Sequence, residues 1–366
     1  MRGVNLKLGL YTMKRKLLIV DKHQFGYLVD TYKWAISLVD KYDITLICMD
    51  MQLERYVIDG VRIKYLPSIT NRYLRGFIFI LFSAWEILNF KGSVIVSYFE
   101  FCSIFKRLFP CRKILLDIRT LSVSSSSSVR EKQNQAIREA CLRYKTISFI
   151  SEGIRDTLKL PPFLDTYVVP LGADCISDVR KEYESLRLLY VGTLSGRDID
   201  KTILGLHDFL QLYPDRFVTY DIVGDGFNGE LFQLKELVER LGLPNTVRLH
   251  GYMPHSKLRP LFDQCNVGIA FVPIREYYEH QPSTKIFEYS FSGLYTIATK
   301  TKANQELINE DNGMLISDTS SDFRNALVKI SSVAFTASEE KIRGSLSEYS
   351  WDALVKRKLL PIIERL

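Results

Sequence analysis

The chain has 366 residues, 46% hydrophobic and 25% charged, with 20 Tyr and 21 Phe. At roughly 150 residues per domain the length implies two domains, and the composition excludes a disordered, collagen-like or low-complexity protein. The net charge of +7 hides an asymmetry: residues 1–172 carry 26 Lys and Arg against 15 Asp and Glu, a surplus of 11, whereas residues 173–366 carry 23 against 27. A basic half either faces an anionic partner or carries solvated lysines.

Met1–Thr12 shows neither a sustained apolar run nor a small-residue cleavage site, so no secretory signal is read there. Met13, directly before Lys14-Arg15-Lys16, is a second candidate start. Strand candidates then follow at Lys16–Asp21, Ile44–Met49, Val61–Leu66, Val94–Tyr98, Lys113–Ile118 and Thr146–Ile150, with helical patterns at Tyr27–Lys41 and Val129–Tyr144. Short β-rich runs alternating with helix-length segments are the pattern of a parallel sheet with crossover helices. The longest apolar stretch, Gly76–Phe90, is bracketed by Arg75 and Lys91 and interrupted by Glu86. It falls short of the roughly 18–20 residues a spanning helix needs. A buried core helix is the first expectation. A helix half-sunk in a membrane face is the sharper one, because Arg72, Tyr73, Arg75, Phe77 and Trp85 supply the basic and aromatic mix such helices use. The Ser124–Ser128 run reads as a mobile, solvated loop.

The pattern restarts at Arg187–Val191 and continues through a helix to about Tyr213, then Phe217–Val223, Val247–His250, Val267–Phe271 and Tyr295–Ala298. Two Rossmann-like units, 1–176 and 177–348, are therefore expected to face each other across a cleft, a standard place for a ligand. The amphipathic, basic segment Tyr349–Leu366 is expected to pack back onto the front unit. The six cysteines lie far apart with no C-x-x-C pair, and the five histidines lack metal-site spacing, so neither a disulfide framework nor a metal site is expected.

Ligands bind beyond the carboxyl ends of strands in open α/β sheets. After RLLYV comes Gly192-Thr193-Leu194-Ser195-Gly196-Arg197, where glycines let backbone approach a phosphate and Arg197 offers a guanidinium. Gly224-Asp225-Gly226 is a second tight turn. Neither half has the full dinucleotide fingerprint, and the first strand leads to His23-Gln24-Phe25-Gly26 with one glycine, so NAD binding is a poor reading. The most informative segment runs Glu279-His280-Gln281-Pro282-Ser283-Thr284-Lys285-Ile286-Phe287-Glu288. Pro282 and Ser283 suit a helix start, whose free N–H groups would aim into the cleft toward a diphosphate. Lys285 adds positive charge in the first turn, where the dipole alone would favour an acid, and Glu288 offers acceptors to sugar hydroxyls. An ordinary capped helix with solvated Lys and Glu explains the same residues.

The string VGTL, IVGDG, HGYM, PSTKIFEY, GLYTIAT and Asn312-Gly313 resembles the nucleotide-sugar-binding half of the retaining GT-B glycosyltransferases of family 4, the group 1 glycosyl transferases. IVDKHQFGY and LLDIRT look like segments of its bacterial surface-polysaccharide members, and Phe149-Ile150-Ser151-Glu152 followed by Val169-Pro170-Leu171-Gly172-Ala173-Asp174 resembles the family's usual lead-in to the linker. The resemblance implies a sugar moved from a nucleotide diphosphate, UDP- or GDP-linked, to an acceptor hydroxyl, without metal or other cofactor. It places Gly192, Thr193, Leu194 and Arg197 at the diphosphate, with Gly224 on the neighbouring turn. Gly251, Tyr252 and Met253 fall beside the nucleobase, and His280, Pro282, Ser283, Thr284 and Lys285 around phosphate or transferred sugar. Glu288 matches the second Glu of the family's E-x7-E motif, which contacts the donor ribose. Two departures stand out: His280 occupies the first Glu position, and Thr193 stands where many members have Arg. Arg197 and Lys285 would offset the leaving charge, Asp117 and Arg119 are expected to face the cleft, and His23, Gly26 and Glu152 are the acceptor-side candidates. The acceptor implied is a lipid-linked saccharide at the anionic inner membrane surface of a cytoplasmic protein, met by Arg72, Arg75, Lys106, Arg107, Arg112 and Lys113. A nucleotide-sugar epimerase of the same architecture and a non-catalytic nucleotide-sugar or membrane-binding protein remain as alternatives. Nucleic acid is disfavoured for want of a stacked aromatic-basic motif.

Overall fold

The computed structural model describes residues 14–332 and 336–366; the choice between Met1 and Met13 lies outside them. The front sheet contains β1 (Arg15–Val20), β2 (Tyr42–Met49), β3 (Val61–Leu66), β4 (Ser93–Ser97), β5 (Leu115–Ile118), β6 (Thr146–Phe149) and β7 (Asp165–Val168), in the order β3-β2-β1-β4-β5-β6-β7. The back sheet contains β8 (Leu186–Val191), β9 (Val218–Val223), β10 (Val247–Gly251), β11 (Val267–Ala270), β12 (Tyr295–Thr299) and β13 (Gly313–Ile316), in the order β10-β9-β8-β11-β12-β13. Every pairing is parallel. Helices cover both faces of such sheets, so central strands are apolar on both sides, as in β1, where Leu17–Val20 are fully buried. Strand order reverses between β1 and β4 and again between β8 and β11, and those two switch points open the ligand crevices.

Two strands were not expected from the sequence. β7 and β13 are four-residue edge strands, DTYV and GMLI, too short and too partly exposed to show a buried-strand pattern.

The C-terminal segment packs onto the front sheet, as expected, but not as one regular helix. It runs as an α-turn at Trp351–Leu354, a π-helix at Val355–Leu359 and a final helix at Leu360–Arg365. Trp351, Leu354, Val355, Leu359 and Ile363 join Leu17, Ile19, Trp34 and Leu38 in one core. The Ser93 hydroxyl donates to Ile363 O at 3.1 Å.

The Gly76–Phe90 stretch forms a helix, Arg72–Asn89, capped by Asn71 Oδ1, which accepts from Tyr73 N and Leu74 N. The first expectation, a buried core helix, is corrected. Phe79, Ser83, Ala84 and Ile87 face the core, but Leu74, Phe77, Leu81, Trp85 and Leu88 are exposed. Spacings of three and four place those five on one stripe. No described helix is long and apolar enough to cross a membrane.

The serine run also differs from expectation. Ser127 and Ser128 begin the Ser127–Cys141 helix, and Arg130 Nη1 donates to the carbonyls of Ser124 and Ser125. Three of the proposed membrane-facing cations are tied down as well. Arg112 Nη2 donates to Phe90 O and Gly92 O, Lys106 Nζ to Pro110 O and Arg112 O, and Lys113 Nζ to Arg365 O. The short loop between the Ile104–Leu108 helix and β5 leaves carbonyls that nearby cations satisfy.

Candidate functional site

Three strand-end turns of the back sheet interlock. Gly192 N donates to Val223 O at 2.9 Å, Leu194 N to Asp225 O at 2.9 Å, and Gly224 N to Gly251 O at 2.8 Å. A Cβ on Gly224 would lie 1.8 Å from Gly192 O, and its φ is +149°, so only glycine fits that crossing. Leu194 is drawn into the core beneath the turn, and Met253 packs on the Leu258–Phe262 cluster.

The helix Thr284–Phe291 starts opposite the Gly192 turn. Its N-cap, Ser283, makes no side-chain capping bond. First-turn N–H groups without a side-chain cap are free to meet an anion. Between this helix end and the Gly192 turn lies a cavity of about 340 Å³. Gly192, Thr193, Arg197, Pro282, Ser283, Thr284 and Lys285, all foreseen from the sequence, line it.

Arg197 is the most telling of these. Its guanidinium stacks 4.5 Å from the Tyr278 ring centre, and its buried Nη1 finds no hydrogen-bond acceptor among the described residues. A buried cationic nitrogen without an acceptor is costly unless a ligand supplies one. Lys285 Nζ lies 3.2 Å from Glu288 Oε2, and His255 Nε2 lies 3.3 Å from Glu288 Oε1. Burial alone would push the Glu288 carboxyl up, but Lys285 and His255 together hold it below the ordinary carboxylate value. Glu288 stands one turn behind the cavity wall.

The sequence did not single out several lining residues. Tyr278, Gln281 and Asn304 come from the back half, and Thr120 and Val123 from the front. Asn304 is buried, donates through Nδ2 to Thr299 O at 2.8 Å, and its Oδ1 has no hydrogen-bond partner among the described residues. Only the third dimension carries that signal, because Asn304 sits some twenty residues beyond the motif.

The loop before the helix is held by the front half. Thr120 Oγ1 donates to Gln281 Oε1 at 2.9 Å, Ser151 Oγ donates to His280 O at 2.8 Å, and Arg130 lies 5.1 Å from the Tyr277 ring centre. The His280 ring packs against Gly153, where a Cβ would come within 2.0 Å of Nδ1. Glu279 caps the neighbouring helix by accepting from Lys302 N. His280 therefore lies outside the cavity wall that the sequence assigned to it.

Asp117 and Arg119 also differ from expectation. They lie inside the front half rather than on a cavity wall: Asp117 is 1% exposed and accepts from Ser148 Oγ at 2.6 Å. Arg119 Nε lies 2.8 Å from Asp117 Oδ2, Nη2 lies 3.3 Å from Asp30 Oδ1, and Nη1 donates to Val169 O at 2.7 Å. Burial pushes Asp117 up to about 6 despite Arg119 and Ser148. The alternating strand face turned both side chains inward.

The acceptor-side candidates do not converge. His23 is half-exposed, with Nδ1 2.9 Å from buried Asp21 Oδ1. Gly26, with φ +93°, lies under the Tyr56 ring. Glu152 lines a second cavity, of about 280 Å³, at the seam with Tyr349, Arg357 and Lys358. Tyr252 stands exposed on the turn after β10.

Residues 185–332 match the family model described as Glycosyl transferases group 1. No curated protein matches the chain. Among solved structures, a sucrose-phosphate synthase from Thermosynechococcus elongatus superposes with a TM-score of 0.73 at 15% identity, covering 96% of this chain and 98% of that one. Anabaena HepE in complex with UDP gives 0.73 at 14% identity over 96% and 100%. The lipopolysaccharide outer core galactosyltransferase WaaB, apo form, gives 0.67 at 16% over 96% and 100%. At such identities the likeness establishes the fold, the two-domain GT-B architecture.

Proposed function

We propose, from the premise that this chain is a glycosyltransferase of GT-B type with a group 1 donor domain, that it transfers a sugar with retention to a lipid-linked saccharide in surface polysaccharide synthesis. One observation carries the donor reading: Arg197 Nη1, lacking an acceptor among the described residues, beside the helix start at Thr284 whose N-cap Ser283 makes no side-chain capping bond. Both supply hydrogen bonds to a diphosphate, and both gain strength as charge develops on it when the glycosidic bond breaks. Lys285 adds a cation, and this counter-charge lets the leaving group depart without a metal ion. Glu288, held ionised by Lys285 and His255, accepts from ribose hydroxyls. HepE was solved with UDP, and the same nucleotide suits this cavity.

The basic front half receives the acceptor at an anionic membrane. The exposed stripe Leu74, Phe77, Leu81, Trp85 and Leu88 sits between Arg72 and Lys91, which supports a helix lying in the membrane interface of a cytoplasmic, peripheral protein. Binding to phosphatidylglycerol vesicles is expected to weaken with salt.

A thermal-shift screen against UDP-, GDP- and dTDP-sugars tests the donor reading, because a ligand bound only by the folded state raises the midpoint. A shift with one nucleotide class, unaltered by EDTA, is expected. Incubation with the shifting donor alone must leave its sugar unchanged. Donor epimerisation, or no shift with any nucleotide, contradicts the proposal.

A further inference from the structure

The turn that carries Tyr278 belongs to the back half, yet the front half holds its outer side. Glu276–Tyr278 is a single 3-10 turn, and both of its tyrosines are half-buried. Its own backbone contributes little: Tyr278 N donates to Arg275 O at 2.8 Å, and Gln281 N to Tyr278 O at 3.2 Å. Isolated turns of this kind open readily unless something packs on them. Back-half hydrogen bonds secure the flanks, where Ile274 N donates to Asp318 Oδ2 at 3.0 Å and Lys302 N to Glu279 Oε2 at 2.9 Å.

Two ties reach the turn from the front half. Arg130, with its side chain 16% exposed, is first fixed to its own loop, because Nη1 donates to Ser124 O at 2.8 Å and Ser125 O at 3.3 Å. The guanidinium so held lies 5.1 Å from the Tyr277 ring centre, with Nη2 3.7 Å from Glu276 Oε2. A planar guanidinium bonded along one edge keeps its face for an aromatic ring. The second tie runs through Gln281, whose Oε1 accepts from Thr120 Oγ1 at 2.9 Å and whose Nε2 donates to Tyr277 O at 2.9 Å. One tie holds the Tyr277 ring and the other its carbonyl.

From Tyr277 the contacts continue into the donor cavity. The Tyr277 and Tyr278 ring centres are 4.6 Å apart with the planes at 59°, and the Arg197 guanidinium stacks 4.5 Å from the Tyr278 centre. An arginine loses rotamer freedom when it meets an anion, and a ring that already holds it lowers that cost. We infer that Arg130 is a positioning residue for the donor site: through Tyr277 and Tyr278 it sets Arg197 in place before the diphosphate arrives. Arg130 does not line the cavity itself. The inference rests on the donor reading and adds that donor affinity depends on a front-half side chain with no contact to the donor.

Calorimetric titration of UDP into the full chain tests it with Arg130→Met, Arg130→Lys, Tyr278→Leu and the double variant Arg130→Met with Tyr278→Leu. Arg130→Met is expected to bind UDP at least fivefold more weakly than the wild type. Arg130→Lys, which keeps a cation beside Glu276 and the Tyr277 ring, is expected to fall between the two. In the Tyr278→Leu background the ring contact with Arg197 is already gone, so adding Arg130→Met should change affinity by less than twofold. A purely structural role would instead weaken binding in both backgrounds alike. Hydrogen exchange without nucleotide is the second readout, with the Tyr278 and Gln281 amides expected to exchange at least tenfold faster in Arg130→Met while the β8 and β11 amides stay unchanged. UDP affinity of Arg130→Met within twofold of the wild type, or a double variant that loses the product of the two single losses, overturns the inference. Absence of UDP binding by the wild type contradicts the donor reading; the exchange result then decides the inference, and unchanged Tyr278 and Gln281 exchange in Arg130→Met overturns it.

Discussion

Arg119 and Arg197 occupy similar places in their two sheets, each beyond the carboxyl end of a strand and each stacked on an aromatic ring. Arg119 lies 4.7 Å from the Trp34 ring centre and Arg197 lies 4.5 Å from that of Tyr278. Their surroundings separate them. Arg119 has the carboxylates of Asp117 and Asp30 within 3.3 Å and donates to the Val169 carbonyl, whereas Arg197, which also keeps a buried nitrogen without an acceptor, has no carboxylate within ion-pair distance among the described residues. The first arginine completes an internal charge balance, and the second awaits one from outside. Two acids mirror the difference: Asp117 is pushed up to about 6 by burial, and Glu288 is held down by Lys285 and His255. A charged side chain at a strand end is therefore a site only when its neighbours leave it incomplete.

The sharpest way to break this contrast is to remove the arginines in turn. Arg119→Leu leaves Asp30 and Asp117 buried without their cation, and a loss of about 3–5 kcal/mol is expected in urea unfolding. A loss below about 1 kcal/mol would show that the cluster is not held by Arg119. Arg197→Ala is expected to lower transfer by about 10²–10³-fold, the effect of deleting one donor to a developing anion, with little change in the unfolding midpoint. If stability falls and turnover does not, the two arginines have the same role and the contrast fails.

The two acids then separate by pH. Asp117 is raised, so its contribution to stability is full below about 3.8 and is lost as pH rises toward about 6. Glu288 is lowered, so its contribution is present above about 4.5 and is lost as pH falls through its depressed value. Unfolding measured across this range in Asp117→Asn and Glu288→Gln should remove opposite slopes, and slopes of the same sign would refute the assignment. If Asn304, which lines the cavity, meets a sugar hydroxyl through Oδ1, Asn304→Ala should weaken a UDP-sugar relative to UDP; equal loss for both would place it elsewhere. The smallest stability effect is expected from Trp85→Ser, within about 0.5 kcal/mol because the ring is 64% exposed. Its vesicle binding should nevertheless fall severalfold if the stripe meets a membrane.

Much of the frame was readable in the chain. Buried parallel strands such as KLLIVD carry continuous apolar runs, and a proline-serine helix start followed by Lys285 marks an unusual first turn. Edge strands β7 and β13 escaped because four residues with partly exposed faces leave no period. The cavity wall was legible because Gly192, Thr193 and Arg197 lie close together on one turn and Pro282–Lys285 are consecutive on the other. Asn304 and Thr120 were not, because each reaches the cavity from a distant segment, and no local pattern records which way a strand-end side chain turns. For the same reason Asp117 and Arg119 read as site residues when they are interior ones. Phe77 and Trp85 were legible as candidates for a membrane face, but Leu74, Leu81 and Leu88 were not, because hydrophobicity alone does not say which face of an apolar run is covered.

The most direct test is calorimetric titration of UDP into the wild type, Arg197→Ala and Lys285→Ala. Binding by the wild type, with at least a tenfold weaker affinity in Arg197→Ala and a smaller loss in Lys285→Ala, is the predicted result. Equal UDP affinity in all three proteins would mean that the unpartnered nitrogen of Arg197 does not meet the diphosphate, and the account of the site would be wrong.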